Sequence, residues 1–126
     1  MTVLVIITFI LSLLLTPLYF AVRNRPNGVC GIRVSYTLDY PDIWKKVHTL
    51  TGVTSAIFNV IEVIALFTTS GFTFAFILFI CLIFHFVPGC IYARLLGSKR
   101  EREEYQQEEQ ERRQAEAEES DILIQK

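Results

Sequence analysis

The sequence predicts an all-α membrane protein with three transmembrane helices, a loop carrying a short interfacial helix, and a charged helical tail. Three observations lead there. Of the 126 residues 52% are hydrophobic and the mean hydropathy is +0.39, too apolar for a small domain in water. The apolar residues collect into runs long enough to cross a hydrocarbon core, which needs about 20 residues as a helix. Charge is segregated as well: beyond Leu96 ten acidic residues face six basic ones, whereas the rest holds six basic and three acidic, so a body of +3 carries a tail of −4. A basic body with an acidic tail is not the pattern of a nucleic-acid binder.

The first helix is expected over about residues 2–22. A cleaved signal peptide is the competing reading, but no Lys or Arg precedes the run, it is too long for a signal core, and no small-residue cleavage site ends it. Thr8, Ser12 and Thr16 recur every four residues and form a weakly polar stripe for contact with other helices or with the helix's own carbonyls.

The loop over 23–51 holds Arg23, Arg25, Arg33, Lys45 and Lys46 against Asp39 and Asp42, and the bias of such residues toward cytoplasmic loops places it in the cytosol. Its first half has Pro26, Asn27, Gly28 and Gly31, the residues of tight turns, and reads as compact and irregular. Its second half reads as an interfacial helix with Asp39 as N-cap and Pro41 in the first turn. There Ile43, Val47 and Leu50 share a face with Trp44 at headgroup depth, Lys45 and Lys46 lie opposite, and Gly52 marks the turn inward.

The second and third helices are expected over about 52–69 and 72–95. Only Thr69, Ser70 and Gly71 are left to join them, so they are antiparallel neighbours. Three crossings then put the N-terminus outside and both loop and tail in the cytosol, in agreement with Arg94, Lys99 and Arg100 after the third helix. Pro88 and Gly89 should kink that helix. A membrane domain over 1–96 is thus followed by a tail over 97–126. The tail reads as a solvated helix of its own, with Glu108 and Arg112, and Glu109 and Arg113, in favourable i, i+4 order.

The loop residues Pro26, Asn27, Gly31, Ile32, Arg33, Thr37, Trp44, His48 and Gly52 resemble, in order and spacing, the signature of the SdpI family of small integral membrane proteins. The resemblance covers Arg23 to about Gly52 well and the next two helices in outline. It implies a multi-pass membrane protein and, from the best-known members, immunity to a secreted toxin. The founding type is longer, with additional membrane helices, and the charged tail is not part of the pattern, so the fold carries over more safely than the toxin.

Within the second helix Glu62 is the most informative residue. A carboxylate near the middle of a span costs on the order of 2.5–3.5 kcal/mol on insertion, so it needs a partner or a proton. Ser55, Asn59 and Glu62 fall on one face, and His85 on the third helix lies at a similar depth: Glu62 is about 15 Å inside Gly52, and His85 about 13.5 Å inside Arg94. These four residues are the candidate intramembrane polar site, for a proton, an ion or a toxin contact. Simple polar glue between helices is the reading with the greater weight. One Glu with one His does not supply a metal's ligand count, so no metal and no cofactor is expected.

Arg33 and Trp44 read first as anchors to lipid phosphate and interface, and second as a site for an anionic headgroup or peptide carboxylate; His48 reads as a capping or loop-bonding residue. Cys30, Cys81 and Cys90 show no pairing pattern. No nucleophile–base pair and no phosphate-cradling motif is present, so the expectation is not an enzyme. The chain is expected in the cell membrane with the lipid bilayer as its first partner. The leading function is immunity through contact with a peptide toxin. The alternatives are an accessory subunit on a larger membrane-protein partner and a small proton-coupled transporter working as a homo-oligomer.

Overall fold

A computed structural model describes residues 3–26 and 31–124, apart from the side chain of Leu123. The described chain is all-α, in four helices: α1 (Val3–Val22), α2 (Ser35–Asp39), α3 (Pro41–Thr68) and α4 (Gly71–Ile124). Three are long and apolar enough to cross a membrane, with mean hydropathies of 2.5, 1.8 and 2.5. Only 11% of the first span and 28% of each of the others is buried within the chain, and large side chains such as Leu4, Ile57, Phe67, Phe76 and Ile91 stand exposed. Such a surface is stable where lipid is the solvent. This is a multi-pass membrane protein.

The helix expected to lie in the interface from Pro41 and the crossing expected from Gly52 are one helix. The cause is a single buried stripe, Trp44, His48, Thr51, Ser55, Glu62 and Ala65, whose spacing of three, four or seven residues passes through Gly52 without a break. Gly52 does not end the helix but lets it approach α1, where the Phe20 ring lies 3.0 Å from the point a Cβ would occupy. Trp44, expected at the headgroups, is fully buried, while Lys45 and Lys46 are exposed on the opposite side. Asp39 ends α2 instead of capping α3; the N-cap is Tyr40, without a side-chain bond, and Pro41 occupies the first turn.

The tail is likewise not a separate helix, because α4 runs on from the third span through Pro88 and past Gly97 to Ile124. Its buried stripe, Phe74, Leu78, Cys81, His85, Gly89, Ala93 and Gly97, also keeps helical spacing, and toward the tail it narrows to small residues that admit close neighbours. A Cβ at Gly89 would collide with Ile32 and Thr51, and one at Gly97 with the Tyr36 ring.

The loop expected to be irregular contains α2, which together with the start of α3 is clamped to α4 just beyond the span. Tyr36 donates to Glu101 at 3.1 Å, Tyr40 donates to Glu104 at 2.9 Å, and Arg100 pairs with Asp42 at 3.8 Å. Farther out, Arg113 bonds Glu109 at 2.6 Å along the helix. Two apolar clusters fill the bundle. Ala65, Phe74 and Leu78 pack near the Thr69–Ser70 turn, and Tyr19, Ile32, Ile43, Val47 and Ala93 pack near the loop.

Two outcomes follow from the packing of α4 against the loop and α3. Gly89→Val forces a side chain into Ile32 and Thr51 and should lower stability by about 1–3 kcal/mol in detergent thermal unfolding. The carboxylates of Glu101 and Glu104 hold the Tyr36 and Tyr40 hydroxyls protonated to higher pH than a free tyrosine. A raised folded value means the contact contributes fully below about pH 10 and is lost as pH rises through that value. Phenolate absorbance should lose two late-titrating tyrosines in the Tyr36→Phe, Tyr40→Phe variant.

Candidate functional site

Between the two apolar clusters all three spans meet on one polar group. Ser12 from α1, Ser55 and Glu62 from α3, and His85 from α4 are each fully buried. Glu62 and His85, placed at similar depth by residue counting, are in contact, with Glu62 Oε1 and His85 Nε2 3.3 Å apart. The Ser12 hydroxyl donates to Glu62 Oε1 at 2.8 Å, and its oxygen lies 3.1 Å from His85 Nε2. On the far side of the ring, Ser55 Oγ is 2.6 Å from Nδ1.

The bonding is directional. Asn59 Nδ2 donates to Thr16 Oγ1 at 2.9 Å, and Thr16 donates to Ser55 Oγ at 2.8 Å. The proton of Ser55 is then left to point at His85 Nδ1. Because the Ser12 proton is committed to Glu62, both neighbours of His85 Nε2 can accept, and that nitrogen carries the ring proton. The result is a donor chain Asn59, Thr16, Ser55, His85, Glu62 in which every hydrogen points toward the carboxylate.

Ser12 and Thr16 were visible only as a polar stripe. The signal that would have placed them is Pro17: proline has no N–H, so the carbonyl of Leu13 loses its helical donor. Asn59 Nδ2 reaches that carbonyl at 3.5 Å. Thr8, the third member of the stripe, bonds back to the Leu4 carbonyl and stays outside the cluster.

The loop-signature residues form a second assembly. His48 Nε2 accepts the Ile32 N–H at 3.0 Å and His48 Nδ1 faces the Trp44 carbonyl at 2.8 Å, so the ring is neutral with its proton on Nδ1. A second proton would break the Ile32 bond, so His48 is a loop-bonding residue in this fold. Trp44 stacks on His48 with centroids 4.0 Å apart and donates from Nε1 to the Val22 carbonyl at 2.8 Å, tying the end of α1 to the start of α3. Gly31 has φ 109°, where side chains are strained, and a Cβ there would strike His48 Nε2. Thr37 is buried, accepts the Val34 N–H at 3.1 Å and faces the carbonyls of Ile32 and Val34, each at 2.8 Å. Arg33 is exposed and Pro26 lies just beyond α1, whereas Asn27, Gly28 and Cys30 fall outside the described residues.

These features define a class: a small helical membrane protein whose spans converge on a buried carboxylate–imidazole pair and whose connecting loop is locked by a histidine. The sequence profile of the SdpI/YfhL protein family matches residues 23–90, more than half of the chain. The chain belongs to that family. The matched region contains Glu62, His85 and the whole loop assembly; α1, with Ser12 and Thr16, and the tail lie outside it. No curated protein and no solved structure matches the chain.

His48→Ala should leave the buried Ile32 N–H without an acceptor at a cost of about 1–3 kcal/mol. Urea or thermal unfolding in detergent would measure it, and Gly31→Ala should be at least as damaging.

Proposed function

We propose that this chain protects the membrane that holds it against a membrane-active peptide, the immunity role best known in its family, by binding that peptide within the bilayer. In this reading the N-terminus is outside and the loop and tail are cytosolic, as the basic residues of 23–51 favour. The observation that carries it is a pair of acceptors. Glu62 Oε2 and Asn59 Oδ1 are buried without a hydrogen-bond partner among the described residues, three positions apart on one face of α3. Such atoms are costly in hydrocarbon, and a basic or amide donor from an intramembrane ligand would satisfy both.

A second reading, proton movement by an oligomer, is favoured by the donor chain that ends on Glu62. Its carboxylate and imidazole touch, Glu62 Oε1 lying 3.3 Å from His85 Nε2, although three helices enclose little volume.

Expression in a toxin-sensitive bacterium tests the first reading. Survival should rise, fall back to the control level with Glu62→Gln, which turns the free acceptor into a donor, and persist when the chain is cut after Tyr105. Liposomes holding the purified chain should show no proton flux above control. Flux that disappears with Glu62→Gln, without any gain in survival, would favour the second reading.

A further inference from the structure

A cleft of about 510 Å³ opens between α2 and α4 beside the loop, at a depth that matters. Arg94 lies 23 residues into α4, about 35 Å from its start at about 1.5 Å per residue, and a hydrocarbon core is about 30 Å thick. The cleft therefore sits at the headgroup layer on the loop side of the bilayer.

Its lining is graded along the membrane normal. Cys90 is deepest, Arg94 comes one turn farther out, and Glu101 nearly two turns beyond that, with Asp39, Tyr36 and Tyr40 on the facing wall. Among the described residues no carboxylate lies within ion-pair distance of the Arg94 guanidinium. Arg100, one of the next basic residues along the helix, is by contrast paired with Asp42 and Glu104. On the outer side Tyr36 bonds only one Glu101 oxygen, Oε2, and Asp39 is exposed. An inner cation with outer carboxylates is complementary to a headgroup with phosphate inside and ammonium outside.

We propose that this cleft binds the headgroup of a phosphatidylethanolamine-type lipid, its phosphate on Arg94 and its ammonium on Asp39 and Glu101. An arginine fork pairs with phosphate oxygens, and a primary ammonium donates three hydrogen bonds to carboxylates. A choline headgroup cannot donate these bonds, and an anionic glycerol headgroup would meet the two carboxylates without a cation of its own. The bound lipid would bridge α2 and α4 beside the tyrosine contacts.

The test uses the purified full-length chain in mild detergent, with native mass spectrometry counting retained adducts. The probes are dioleoyl phosphatidylethanolamine, phosphatidylcholine, phosphatidylglycerol and soluble phosphoethanolamine. The ethanolamine lipid should be held about tenfold more tightly than the other two lipids. Arg94→Gln should remove that advantage, Arg94→Lys should retain part of it, and Asp39→Asn with Glu101→Gln should shift preference toward phosphatidylglycerol. Arg94, Asp39 and Glu101 are exposed and a Gln at 101 still offers Tyr36 an acceptor oxygen, so helical circular dichroism should stay unchanged in these variants. Equal retention of the three lipids, or an ethanolamine preference that survives Arg94→Gln in a folded chain, overturns the proposal. Soluble phosphoethanolamine binding as tightly as the lipid would assign the cleft to free phosphoesters and overturn it as well.

Discussion

The fold depends on what Glu62 requires. A carboxyl group inside hydrocarbon has no water to turn to, so its partners must come from the protein. Here they come from the other two spans, Ser12 on α1 and His85 on α4, with Ser55 and Thr16 completing the bonding behind the histidine. Apolar packing gives weak direction to helices immersed in lipid, because tails and leucines are much alike. One polar cluster contacted by all three spans fixes their rotation and register together, and the apolar clusters on either side fill the space it defines.

The loop repeats the device at the membrane surface. His48 does for the loop what His85 does for the spans, accepting a backbone N–H from Ile32 while its other nitrogen is satisfied inside α3. Gly31, Thr37, Trp44 and His48 thus spend their polar groups and their shape on one another and on the end of α1. The loop residues that resemble the family signature encode how this connector folds against the bundle, which leaves Arg33 and the α2–α4 cleft as its outward-facing chemistry.

Much of this was legible in the sequence, for physical reasons. Three spans follow from run length, and the Glu62–His85 contact follows from rise per residue applied from both ends of a tight hairpin. Part of what was missed has one cause: Gly52 and Gly97 were taken as breaks. Gly52 and Gly97 are close-approach points inside continuous helices, and the buried stripes running through them carry that information. Pro17 frees a carbonyl that Asn59 then meets, which draws Ser12 and Thr16 into the cluster. Trp44 was read as seating an interfacial helix on residue type; it is fully buried and stacked on His48. Contact of α2 with the tail could not be read locally, since Tyr36 and Glu101 are 65 residues apart.

The burial and tautomer of the central cluster decide whether the three spans are held as described. Nitrogen NMR of histidine-labelled protein in lipid bilayers would read His85 directly. A proton on Nε2, an unprotonated hydrogen-bonded Nδ1 and slow exchange with deuterated solvent are expected. A His85 that carries its proton on Nδ1 instead, or that exchanges rapidly with solvent, would contradict that arrangement.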